Sequence, residues 1–216
     1  PDATNLAGIV YDYKKTLLYC VDRDTDLLYV YNWQASTTKL TKVPGSPFTL
    51  TGATAFGIAL DAINNLLYVA NNSKTIRVYH TSDWSLARTI SVSRTAISIA
   101  IDVTKGLLYF GGGFADNDYL TQYNLATGAE AAVRVEPDAG VMGLGIDVAT
   151  GFVYVSTGRN NAPGGDNIRV YDTALKEIDV VTAIGNPTGL VIPREDIGYN
   201  PLHLSKNVVG PATDEA

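Results

Sequence analysis

The feature that most constrains this chain is a motif that occurs four times at wide, nearly regular spacing. Asp12, Asp61, Asp102 and Asp147 are each followed by an apolar pair and a tyrosine: Leu17-Leu18-Tyr19, Leu66-Leu67-Tyr68, Leu107-Leu108-Tyr109 and Phe152-Val153-Tyr154. The Asp-to-Tyr distance is seven residues in every copy, and the Asp advances by 49, 41 and 45 residues from copy to copy. Repeats of about 40–50 residues built from short strands fold as stacked units, because no single unit buries both of its faces alone. A helical solenoid of similar period needs apolar residues three and four apart over a dozen positions, and no copy has that spacing.

The second copy, Gly57 to Tyr79, is the most regular. It reads as an apolar strand ending at Asp61, a tight turn, a strand over Leu66 to Ala70, a polar turn and a third strand ending at Tyr79. The run from Leu66 to Ala70 is apolar throughout rather than alternating, as a strand covered on both faces should be. Third strands end at Tyr31, Tyr79, Tyr123 and Tyr171. More alternating fourth strands follow at Thr38–Val43, Leu86–Val92, Ala131–Glu136 and Lys176–Val181, as edge strands should.

The expected fold class is therefore all-β, a β-propeller of four-stranded antiparallel blades over residues 1–193. The blades fall at about 6–50, 51–94, 95–139 and 140–185, followed by the inner strand of a fifth at 188–193 and an irregular tail or linker at 194–216. Propellers usually close with four to eight blades, so four blades plus one strand reads as part of a larger propeller. A compact four- or five-bladed ring is the alternative. An open arc would expose apolar blade faces and self-associate.

The segments LLYVANN (66–72), NIRVYDT (167–173) and LTKVPGSPF (40–48) resemble YVTN-type propeller repeats, including those of lactonase-like propellers, over roughly residues 6 to 192. The resemblance implies the fold. It does not imply one activity, because such repeats occur in enzymes, surface proteins and scaffolds alike.

Composition narrows the partners. The formal charge of −6 supplies no basic stripe to neutralise phosphates, so nucleic-acid binding is not expected. No apolar run approaches the length of a membrane span and no signal peptide is read, so membrane insertion is not expected. The one cysteine, Cys20, takes the place of Val69, Phe110 and Val155 in the other copies, and reads as a small buried hydrophobe. Its isolation fits an extracellular or cell-surface setting.

In a meander, connections between strands one and two and strands three and four share one face of the ring, and the others share the opposite face. The first-to-second-strand turns have uniform length. The Tyr-to-Tyr spans across the second-to-third-strand loops are 12, 11, 14 and 17 residues. Uniform turns read as scaffold and variable loops as a binding surface. The candidate binding residues are Asp116 and Asp118 in the third copy and Arg159, Asn160, Asn161 and Asp166 in the fourth.

Asp22-Arg23-Asp24-Thr25-Asp26 places carboxylates at alternate positions, the spacing calcium loops use. It lacks the turn glycine, replaced by Leu27, and the closing glutamate, replaced by Trp33. A solvated acidic loop is thus the first reading, and calcium held by Asp22, Asp24 and Asp26 the second. The four repeated Asp residues read as turn formers. Eight of the 13 tyrosines fall at repeated positions and read as packing. Asn71-Asn72-Ser73 matches a glycosylation acceptor. His80, expected in a turn, and His203, in the tail, join no triad or metal-ligand spacing, so no catalytic residue is nominated. Trp33 and Trp84 are expected in turns between third and fourth strands, covering blade edges.

The chain thus reads as a non-enzymatic interaction module of a secreted or cell-surface protein, binding protein or carbohydrate through the second-to-third-strand loops. The alternatives are a lactonase-like hydrolase and a structural propeller that assembles through open blade edges.

Overall fold

The computed structural model of the chain describes residues 3, 5–34, 39–50, 54–112, 118–135, 139–158, 167–182 and 190. The chain is all-β, with four antiparallel sheets arranged as a four-bladed β-propeller and no helix among the described residues. Blade 1 contains β1 (Leu6–Asp12), β2 (Leu17–Asp22), β3 (Leu27–Gln34), β4 (Lys39–Lys42) and the short β5 (Phe48–Thr49). Blade 2 contains β6 (Ile58–Asp61), β7 (Leu66–Ala70), β8 (Ser73–His80) and β9 (Leu86–Ala96). Blade 3 contains β10 (Ser98–Asp102), β11 (Leu107–Gly111), β12 (Tyr119–Asn124) and β13 (Glu130–Arg134). Blade 4 contains β14 (Gly140–Asp147), β15 (Phe152–Gly158), β16 (Asn167–Tyr171) and β17 (Glu177–Val181). The expected strand at 188–193, apart from residue 190, and the tail lie outside the described residues.

One local device closes the inner hairpin of every blade. The Asp Oδ1 accepts the backbone N–H groups two and three residues on: Lys14 and Lys15 at 3.0 and 3.1 Å in blade 1, Ile63 and Asn64 at 3.0 and 2.9 Å in blade 2. Thr104 and Lys105 bind Asp102 at 3.0 and 3.1 Å, and Ala149 and Thr150 bind Asp147 at 3.0 and 3.5 Å. The fourth residue after each Asp turns left-handed: Thr16 (φ 53°), Asn65 (56°), Gly106 (63°) and Gly151 (77°). A carboxylate that satisfies two turn amides and a left-handed residue that re-aims the chain together fix the four-residue turn, and with it the seven-residue motif.

Blades stack through three apolar clusters. Tyr19, Val21, Leu28 and Val30 of blade 1 pack on Ile58, Leu67 and Val69 of blade 2. Ala59 and Tyr68 pack on Ile99, Leu108 and Phe110, and Ala100 and Tyr109 pack on Leu144, Val153 and Val155. Inner strands meet in series, β1 with β6, β6 with β10 and β10 with β14; among the described residues no contact of similar extent joins β14 to β1. Near the axis Gly57 N donates to Ile97 O at 2.8 Å, and a Cβ on Gly57 would lie 2.5 Å from that oxygen.

The outer strands depart from the expected bounds. In blade 1 the fourth strand stops at Lys42 and β5 returns to the same edge of β3, Phe48 opposite Leu28. Pro44 to Pro47 therefore forms a break within the outer edge, because prolines have no N–H for the ladder. Val43 N donates to Val30 O and Val30 N to Ser46 Oγ, both at 2.9 Å, which bridges that break. In blade 2 the outer strand runs past Val92 to Ala96, which pairs with Ser73. Trp33 lies within β3, opposite Leu40, and not in a turn. Trp84 does lie in the β8–β9 turn, and its ring meets Tyr19 edge-on at 5.6 Å and Phe48 at 5.2 Å.

Candidate functional site

The two ends of the strands carry different kinds of connection. All four first-to-second-strand turns span four residues. The second-to-third-strand connections span four, two, seven and eight residues in blades 1 to 4. One face of the propeller is thus uniform and the other variable.

The uniform face uses its polar groups internally. Besides the four Asp turns, Lys15 Nζ donates to Asn65 Oδ1 at 2.6 Å and Thr81 Oγ1 at 3.2 Å, tying blade 1 to blade 2. Lys105 Nζ lies 3.3 Å from Asp102 Oδ2. Burial pushes the Asp102 carboxyl up, but the hydrogen bonds from Thr104 and Lys105 and the Lys105 charge outweigh it and hold the group below its ordinary range. Tyr19, Tyr68 and Tyr109 are fully buried between blades, and burial, with Asp12 nearby, raises the Tyr19 hydroxyl. His80 ends β8 and is exposed; its N–H donates to Ser85 O across the β8–β9 turn. Cys20 is buried, and burial pushes its thiol up to about 11.

On the variable face Asp118 is the one candidate loop residue among those described. It is buried, and Arg134 Nε donates to its Oδ2 at 2.5 Å. Its carbonyl accepts Val135 N at 2.7 Å. The adjacent Tyr119 opens β12 opposite Arg134 of β13. From the end of β9, the Arg94 guanidinium lies over the Tyr119 ring, 4.5 Å from its centroid. Asp118, Tyr119, Arg134 and Arg94 therefore gather at the foot of the seven-residue connection. Arg134 is exposed, and Arg94 and Tyr119 are half-exposed. The group offers an aromatic surface with cationic donors beside it, and Asp118 anchors one of those donors. Asp116, Arg159, Asn160, Asn161 and Asp166 lie outside the described residues.

Asp22, Asp24 and Asp26 engage different partners. Asp22 is fully buried; its Oδ1 accepts Asp24 N at 3.0 Å and its Oδ2 accepts Asn5 N at 3.1 Å. Asp24 is exposed, beside Arg23 at 3.6 Å, and accepts Asn5 Nδ2 at 3.1 Å. Asp26 is left-handed at φ 55°; partial burial raises its carboxyl, against the lowering charge of Arg77 in blade 2. Among the described residues no three His, Cys, Asp or Glu side chains gather as a metal-holding group. Asn71 corrects the glycosylation reading: it is buried in the two-residue turn between β7 and β8, its amide beside Thr75 Oγ1 at 3.5 Å, so a glycan has no room there.

The sequence reading missed Arg94, Tyr119 and Arg134. Tyr119 and Arg134 are 15 positions apart and meet only through the β12–β13 register, while Arg94 belongs to a strand that outlasts its apolar pattern. No protein-family model matches the chain, and no curated protein matches its sequence.

Proposed function

We propose that the protein is a non-enzymatic interaction module that binds a protein or carbohydrate ligand through the variable face. The observation that carries this reading is the Arg94–Tyr119–Asp118–Arg134 group at the foot of a long connection, on the face whose loops differ from blade to blade. Aromatic rings take up sugar faces and apolar side chains, and flanking guanidinium groups hydrogen-bond hydroxyls, carbonyls and carboxylates. The opposite face, by contrast, uses its carboxylates to close its own turns, which marks it as scaffold.

The test is a thermal-shift and calorimetric screen against oligosaccharides and acidic peptides, because a ligand that binds the native but not the unfolded chain raises the melting temperature as its concentration exceeds its Kd. The expected result is a ligand whose shift is lost in Tyr119→Ala and Arg94→Ala and kept in Lys14→Ala on the opposite face. A ligand that responds to Lys14→Ala but ignores Tyr119→Ala and Arg94→Ala would place binding on the wrong face and end the proposal.

A further inference from the structure

The repeat allows each blade face to be compared with its equivalents in the other blades. The inner-strand residue three before the turn Asp is Ile9, Ile58, Ile99 or Leu144. Ile58, Ile99 and Leu144 are 7%, 6% and 9% exposed, because the preceding blade covers them. Ile9 is 64% exposed. On the same face Tyr11, Leu18, Trp33 and Leu40 line an open apolar groove of about 280 Å³. Large exposed apolar patches of this kind mark association surfaces.

The other end of the series shows the reciprocal deficit. Tyr19, Tyr68 and Tyr109, which project onto the following blade, are at most 1% exposed, whereas the equivalent Tyr154 is only half-buried. Asp12, Asp61 and Asp102 are buried, whereas Asp147 is half-exposed. On the Tyr154 face Phe152 and Ile168 are half-buried as well, while Ser156 and Val170 are buried, so the exposed part of this face lies at Phe152, Tyr154 and Ile168. The three internal clusters show what each type of face takes: the Tyr face of one blade covers the Ile face of the next.

We infer that the occupant of the blade 1 face is the blade 4 face of a second copy of this chain. Two copies related by a two-fold axis form this contact twice, blade 4 of each on blade 1 of the other. The result is a closed ring of eight blades, within the range in which propellers close. The contact is apolar, while each chain carries a formal charge of −6, so screening the mutual repulsion with salt strengthens the dimer. This inference concerns the blade faces and is independent of what the variable loops bind.

The experiment is sedimentation velocity and light scattering on the intact chain across a concentration series, with Ile9→Glu and Ile63→Glu as the paired variants. Both positions are exposed in the single chain, so neither substitution disturbs the core. Wild type and Ile63→Glu are expected at twice the 23.1 kDa of one chain. Ile9→Glu is expected to weaken dimerisation at least about a hundredfold, because a charge is then buried in an apolar contact made twice. Hydrogen exchange identifies the partner face: the wild-type dimer, compared with the Ile9→Glu monomer, should protect 9–11 and 152–156 together. A monomeric wild type, a dimer indifferent to Ile9→Glu, a larger open assembly, or protection confined to the outer strands β4 and β17 each overturns the inference.

Discussion

Replacing Asp102 by alanine removes the acceptor that closes the inner hairpin of blade 3. Asp102 Oδ1 takes three hydrogen bonds, from Thr104 N at 3.0 Å, Thr104 Oγ1 at 2.6 Å and Lys105 N at 3.1 Å. The two backbone donors belong to a turn with no alternative partner in the ladder. A hydrogen bond to a charged acceptor contributes about 1.5–3 kcal/mol. Water reaches the exposed side of the turn and recovers part of that, so both donors together give about 3 kcal/mol. Lys105 is 40% exposed, so its ion pair adds at most about 1 kcal/mol. Asp102→Ala should therefore cost about 3 kcal/mol in urea unfolding, and Asp102→Asn, which keeps an acceptor oxygen, about 1 kcal/mol. Asp147→Ala, at the half-exposed equivalent with a longer second bond of 3.5 Å, should cost about 1–2 kcal/mol. The pH dependence has a definite sign. Because the folded state holds the Asp102 carboxyl below its unfolded value, its contribution is present above that value and is lost as pH falls through the folded one. The gap between wild type and Asp102→Asn should accordingly close in acid. An Asp102→Ala cost under about 1 kcal/mol, or a gap that widens in acid, would refute the assignment of this carboxylate as the element that closes the turn.

Two glycines should separate steric from conformational cost. Gly57→Ala, with its new Cβ against Ile97 O, should destabilise by more than about 3 kcal/mol or prevent folding. Gly106→Ala, with open space around it but a φ of 63°, should cost about 1 kcal/mol; calorimetric melting distinguishes the two. Thr16 holds a left-handed φ of 53° with a β-branched side chain, so Thr16→Gly should raise the unfolding midpoint by about 0.5–1 kcal/mol equivalent. Cys20→Val, which adopts the residue of the equivalent position in blade 2, should change stability by less than about 1.5 kcal/mol. The native Cys20 thiol, buried and raised to about 11, should resist a water-soluble disulfide reagent until the chain unfolds.

What was legible in the sequence was what short-range chemistry decides. The Asp at the strand end and the left-handed residue four positions on are a local device, so four copies of it exposed the blades directly. Asp22 and the left-handed Asp26 repeat this device in the β2–β3 connection of blade 1, where Asp24 between them adds the alternate spacing that calcium loops also use. What was not legible depends on which strand lies opposite. Trp33 is strand rather than turn because Leu40 pairs with it, and β5 exists because Leu28 has an unmet edge where Phe48 returns. Asp118 could be picked out as a polar loop residue, but its guanidinium partner and the ring beside it are brought near only by cross-strand register and by the neighbouring blade.

Every strand in each sheet is contributed by a contiguous piece of chain, and among the described residues no blade borrows a strand from a distant segment. A nascent chain can therefore complete each blade as it emerges, with only short loops to close. Unfolding should run the other way. Within one chain the terminal blades each pack on a single neighbouring blade, so they lose cohesion before the two between them, as in an array whose stability is a sum of units and nearest-neighbour contacts. Pulled from its ends, such a chain should yield in blade-sized steps of rising force, with the Asp61 and Asp102 hairpins among the last to open.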